Sequence, residues 1–137
     1  LFRSIRQLAL PYTQKEEAFR RMAFNVMGRN CDDHTKNISF RLQRGKAWEL
    51  APAYDMTFAH NPRGEWTNQH LMSINGKFKD FEEEDLYAVA RRFGIGTAKG
   101  VIKEVRHAIT GWAVFAKASG VSKAQTTAIG KQLLWLI

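Results

Sequence analysis

Only one cysteine, Cys31, occurs in the 137 residues, so no internal disulfide can form and a reducing compartment is expected. A lone cysteine of this kind reads as a small packing residue rather than a nucleophile. No run approaches the roughly 20 uncharged apolar residues that a membrane span needs. The opening Leu1-Phe2-Arg3-Ser4-Ile5-Arg6 also lacks the basic-then-apolar layout of a signal peptide. The expectation is a cytoplasmic protein with no membrane partner. Finger, ribonucleoprotein-aromatic and helix-turn-helix signatures are absent, as are repeats and low-complexity stretches. The excess of 21 basic over 13 acidic residues, a formal charge of +8, therefore attracts phosphates, acidic proteins or nucleic acid without choosing among them. With only three prolines and 45% hydrophobic residues, the length suits one domain over residues 1–137 with one core. The chain begins on Leu1 and enters a helical pattern at once, which predicts that the natural amino terminus lies upstream.

What is present is mostly helical periodicity. Leu1, Ile5, Leu8 and Ala9 recur at helical spacing until Pro11 stops the segment. Thr13 with Glu16 has the form of a capping box ahead of Phe19, Met22, Ala23 and Val26, which predicts a helix over 14–28 ending at Gly28. The polar run from Arg29 to Asn37 reads as a loop. Residues 38–42 and 47–50 alternate apolar and polar on either side of Arg44-Gly45-Lys46, the pattern of a β-hairpin. No regular element is expected from Thr57 to Gln69, a polar stretch placed to shape substrate access. A short strand and turn are expected over 70–77. An acidic helix start at Glu82-Glu83-Glu84-Asp85 leads to a helix buried through Leu86, Val89, Ala90 and Phe93 and closed by Gly94. Thr97 opens a longer helix running through Val101, Ile102, Val105, Ile109, Trp112 and Phe115 to Gly120. Ser122 caps a last helix bearing Ile129, Leu133, Leu134 and Leu136. The fold class is mainly α, with a small β-hairpin.

Asp32, Asn37 five residues later, and Asp55 beyond the hairpin form the chemically informative set. Phosphoryl transfer needs one carboxylate to take or orient the proton of the attacking hydroxyl. It also needs a second carboxylate and an amide oxygen to hold Mg²⁺ against the phosphates. Protein kinases space their catalytic-loop Asp and Asn in this way and place the metal-binding Asp after a strand pair. The bland alternative is that Asp32, Asp33 and Asn37 only satisfy a polar loop. Gly94-Ile95-Gly96 with Gly100 resembles a phosphate loop superficially, but joins two predicted helices and reads as capping glycines.

Asn30-Cys31-Asp32-Asp33-His34-Thr35-Lys36-Asn37-Ile38-Ser39-Phe40, followed by Leu50-Ala51-Pro52-Ala53-Tyr54-Asp55-Met56, resembles the HipA family of serine/threonine kinase toxins. That family's pattern is an Asp-x-His-x-Lys-Asn-x-Ser loop and then Pro-x-Tyr-Asp. The resemblance implies a helical kinase C-lobe whose hairpin bears the metal-binding loop. It makes Asp32 the catalytic base, with His34 and Lys36 as supporting catalytic residues, and makes Asn37 and Asp55 the ligands of Mg²⁺ and, through it, ATP. His34 would orient Asp32 or its loop, Lys36 would face the transferred phosphate, and Tyr54 would pack under the metal loop. Asp33 is not a letter of the motif, and the spacing to Asn37 favours Asp32 over it. Further implications are an upstream lobe that cradles the nucleotide, a protein substrate such as an aminoacyl-tRNA synthetase, and a HipB-like DNA-binding antitoxin through which DNA is met. The lobe by itself is then expected to turn over poorly. Two other classes stay open: a catalytically idle binding lobe in an antitoxin–DNA assembly, and a small-molecule phosphotransferase.

Overall fold

A computed structural model describes residues 1–134. Leu136 of the expected last helix lies outside the described residues. The first helix, α1 (Phe2–Gln7), buries Phe2 and Ile5 and is followed by a turn into Pro11. The second, α2 (Tyr12–Met27), carries Phe19, Ala23, Val26 and Met27 at helical spacing, all fully buried. It forms the centre of the molecule. Its start differs from the sequence expectation: Pro11, not Thr13, is the N-cap, and no side chain caps the end. Proline has no N–H to leave unsatisfied and its φ of −64° leads directly into the helix, so the chain starts winding at Tyr12. Glu16, freed from capping, bonds Arg20 at 3.2 Å and accepts from the Thr97 hydroxyl at 2.6 Å.

The hairpin forms as expected, with β1 (Phe40–Leu42) antiparallel to β2 (Trp48–Leu50) and Phe40 opposite Leu50. Two bonds dock it on α2. The Leu50 amide donates to Gln14 Oε1 at 2.6 Å, and Arg21 donates to the Ala51 carbonyl at 2.8 Å. The stretch 57–69 holds no helix or strand, and 70–77 contains a single bridge between Ile74 and Lys77 around a turn.

Helix α3 (Glu83–Phe93) ends where Gly94 takes a left-handed φ of 65°, a conformation glycine adopts without the Cβ clash other residues incur. Helix α4 (Ala98–Thr110) lays Val101, Ile102, Val105 and Ile109 on α2, and this pairing is the body of the core. The longer helix expected over 97–120 is instead broken. Gly111 separates α4 from α5 (Trp112–Ala118), its N–H tightening to the Ala108 carbonyl at 3.1 Å. The Phe115 ring folds over Gly111, where a Cβ would lie 2.7 Å from it. Phe115 consequently leaves the core and is 61% exposed, while Ala116 is buried in its place. Ser122 caps α6 (Lys123–Gly130) by accepting from the Gln125 amide, as expected.

Asp85, expected only as part of an acidic helix start, is buried, with Oδ2 taking the Glu82 amide at 2.9 Å and the Lys77 ammonium at 2.8 Å. Its other oxygen takes the Asn75 amide at 2.9 Å, so one carboxylate fastens the 74–77 turn to α3. Burial pushes this carboxyl up, but the Glu82 N–H, Lys77 and Asn75 together outweigh it and hold the group below its ordinary 3.8. A lowered folded value means that the stability it contributes is present at neutral pH and lost as pH falls through that value. Asp85→Ala is expected to cost about 2–3 kcal/mol in urea unfolding at pH 7. For Asp85→Asn, the stability gap to the parent should narrow from pH 7 to pH 3. A gap that stays constant with pH would contradict this reading.

Candidate active site

The end of α2 sets the loop that follows. Gly28 closes the helix, Arg29 turns left-handed with φ 56°, and the Asn30 amide reaches back to the Asn25 carbonyl at 2.9 Å. Arg29 is held on both sides: its carbonyl accepts from Ala59 at 3.0 Å, and its guanidinium donates to the Gln132 carbonyl at 2.9 Å. His60 Nδ1 meets Gln132 Oε1 at 2.8 Å and the Leu134 amide donates to Met27, so the chain's later part backs this corner. Asn30, 2% exposed, donates through Nδ2 to Asn25 Oδ1 at 3.1 Å and to the Asp55 carbonyl at 3.2 Å. It thereby links the end of α2 to the loop after the hairpin. Cys31 is fully buried, and burial pushes its thiol up to about 11, so it is a protonated packing residue at neutral pH.

The adjacent carboxylates part company. Asp33 turns inward, where Oδ2 lies 2.8 Å from His70 Nδ1 and Oδ1 accepts from the Leu71 and Met72 amides at 2.8 and 3.1 Å. Asp32 is half-exposed, and its carboxylate has no hydrogen-bond donor among the described residues. His34 Nε2 lies 3.8 Å from Asp32 Oδ1, beyond hydrogen-bond reach. The opposite ring nitrogen of His34 is buried without a partner among the described residues. The hydrogen bond by which His34 was expected to orient Asp32 or its loop is therefore absent from this arrangement.

Thr35–Asn37 forms one 3₁₀ turn, which brings the Asn37 side chain back over the loop. Asn37 Nδ2 donates to the Asp32 carbonyl at 2.8 Å, and its amide oxygen has no hydrogen-bond partner among the described residues. Lys36 is exposed, and its backbone carbonyl accepts from the Tyr54 hydroxyl at 2.7 Å. Tyr54 thus ties the post-hairpin loop to the Asp32–Asn37 loop rather than only packing beneath it. Asp55 is exposed, with φ 55°, a left-handed conformation that Asp tolerates better than most residues. Its carboxylate is unpaired among the described residues. The bond from Tyr54 to Lys36 ties the post-hairpin loop to the Asp32–Asn37 loop, and that from Asn30 ties the Asp55 backbone to the end of α2. A cavity of about 300 Å³ opens beside the loop, bordered by Asp33, Asn37, Tyr54, Met56, Met72 and Ile74, while Asp32, Lys36 and Asp55 lie outside its lining.

Among the described residues no group of three or more His, Cys, Asp or Glu side chains forms a metal cluster. The oxygens of Asn37 and Asp55 suit a hard cation that keeps waters and phosphate oxygens as its other ligands, which is the habit of Mg²⁺. The sequence singled out the residues with open oxygens but missed those that hold them. Asn30 gave no signal beyond its place in the loop. His70 gave none at all, since a histidine in a short strand pattern carries no mark of burial.

A family model for the HipA-like C-terminal domain matches residues 1–113. The chain belongs to that family. Comparison with curated proteins and with solved structures finds no match. The HipA-like match takes in α1 to α4, the hairpin and every residue of the candidate site, while most of α5 and all of α6 lie beyond it.

Proposed function

We propose that this HipA-like chain is the catalytic lobe of an ATP-dependent serine/threonine protein kinase that serves as the toxin of a toxin–antitoxin pair. The observation that carries the reading is the division of labour in the loop. Asp33 is taken up by His70, Leu71 and Met72 inside, while Asp32, Asn37 and Asp55 keep side-chain oxygens without a hydrogen-bond partner among the described residues, each residue held through its backbone or its amide nitrogen. A merely structural polar loop would spend those oxygens on backbone amides. In this reading Asp32 accepts the proton of the substrate hydroxyl as it attacks the γ-phosphoryl group. Lys36, cationic and exposed, faces that group and stabilises charge that moves in the transition state. Asn37 and Asp55 would hold Mg²⁺, which would supply charge neutralisation on the phosphates of ATP.

The nucleotide's phosphates need a cradle of backbone amides. Gly94-Ile95-Gly96 does not supply one, because Gly94 is the left-handed cap of α3 and the segment joins helix to helix. An upstream lobe outside this chain is the source we propose for it, and the substrate is a protein, of which an aminoacyl-tRNA synthetase is the expected kind. A HipB-like antitoxin would provide the contact with DNA, and the site of action would be the cytoplasm. Among the described residues no helix is long and apolar enough to cross a membrane.

The test is to pair the chain with its upstream lobe and supply γ-labelled ATP with Mg²⁺ and a bacterial lysate. Label on serine or threonine of a protein is expected. Label confined to a small molecule would point to a small-molecule phosphotransferase, and no label with retained antitoxin binding would point to an idle binding lobe.

A further inference from the structure

His70 is 1% exposed and Asp33 4%, and the bond between them is 2.8 Å. A carboxylate acceptor favours the proton on His70 Nδ1, which leaves Nε2 as a buried nitrogen with no partner among the described residues. The ring is held edge-on to Phe81 at 5.2 Å, and its backbone N–H donates to the Phe78 carbonyl at 2.8 Å. An orphaned buried nitrogen is costly, and a buried polar pair is often replaceable by apolar residues without loss of stability. Stability alone therefore does not account for a histidine at this position.

Location does. Asp33 is joined by one rigid peptide unit to Asp32, so a shift of the buried carboxylate is passed to its neighbour. On the other side, Asp33 grips three consecutive residues, His70, Leu71 and Met72, and the chain from Met72 to Gly76 forms a wall of the cavity that Asn37 and Tyr54 border. One carboxylate thus registers the Asp32 loop against the cavity wall. We propose that Asp33 and His70 are a positioning pair that fixes Asp32 relative to the 72–76 wall, and so sets where the substrate hydroxyl arrives. This rests on the kinase reading above.

The test uses the complete kinase with His70→Leu, which keeps bulk and loses the donor, and His70→Asn, whose amide nitrogen overlies the Nδ1 position. His70→Leu is expected to lower kcat by about tenfold or more, because small misplacements of reacting groups cost one to two orders of magnitude. KM for ATP should stay within about twofold, since the Mg²⁺-holding residues proposed above are not the ones displaced. His70→Asn is expected to recover most of the lost rate. Equal kcat losses for the two variants, or a parental kcat in His70→Leu, would overturn the proposal. Amide hydrogen exchange gives a readout independent of catalysis. His70→Leu should speed exchange both at Leu71 and Met72 and across residues 32–37, with α2 and α4 unchanged. Acceleration at 70–72 alone would sink the positioning role. A parent enzyme that transfers no phosphate would instead count against the kinase reading and leave the exchange result to decide the pair.

Discussion

Asp32→Asn in the complete kinase is expected to reduce phosphotransfer by about 10²–10⁴-fold, the range a positioned general base supplies. The thermal midpoint should stay at the parental value. The carboxylate is half-exposed and takes no donor among the described residues, so folding does not draw on it. The bond that shapes the loop at this residue uses its backbone carbonyl, which accepts from Asn37 at 2.8 Å and survives the substitution. Asp33→Asn should show the reverse balance: a milder loss of rate and a measurable loss of stability, since its side chain serves His70, Leu71 and Met72. Kinase assays set beside urea unfolding of both variants separate the two roles. Comparable losses of rate from both would remove the assignment of Asp32 as the base.

Asp55→Asn is expected to weaken the apparent Mg²⁺ affinity in the nucleotide complex by about 100-fold or more, since changes even to residues that only support a metal ligand cost 10–100-fold. Asparagine is the substitution of choice because Asp55 sits at φ 55°, which Asn tolerates and Ala does not. The Asn30 amide would still find the residue-55 carbonyl, so the loop keeps its anchor. Titration of kinase activity and of nucleotide binding with Mg²⁺ checks this. An unchanged Mg²⁺ requirement would place the cation elsewhere.

The sequence carried the parts of this molecule that rest on local chemistry. Gly94 closing α3, Ser122 capping α6, and the alternation about Arg44-Gly45-Lys46 each express a preference of a few adjacent residues, and each appears in the fold. Where two local preferences competed, the stronger prevailed out of view: Pro11 pre-set the entry to α2 and left Thr13 with no capping to do. Gly111 sat inside an unbroken apolar pattern, and glycine is tolerated within helices, so nothing but the fold of Phe115 over it shows the break. The candidate site divides in the same way. Asp32, Asn37 and Asp55 could be named from the sequence because the phosphotransfer chemistry proposed for them imposes a spacing, and the fold leaves their side-chain oxygens without a hydrogen-bond partner among the described residues. The inward turn of Asp33, the bridge made by Asn30 and the bond from Tyr54 to Lys36 join residues that only the tertiary fold brings together.

A join more distant in sequence than any of these is the bond from Leu134 to the Met27 carbonyl, accompanied by that from Arg29 to the Gln132 carbonyl. It has a temporal consequence. Contacts between residues far apart in sequence wait on closure of the intervening chain, and a chain under synthesis presents its early segments first. The corner that precedes Asp32 cannot gain its backing until residue 132 has been made and returned across the domain. A nascent chain therefore carries Asp32 and Asn37 on a corner that lacks this support until Gln132 and Leu134 have been added and docked. Docking of Gln132 and Leu134, rather than synthesis of the motif alone, completes the corner from which the loop departs.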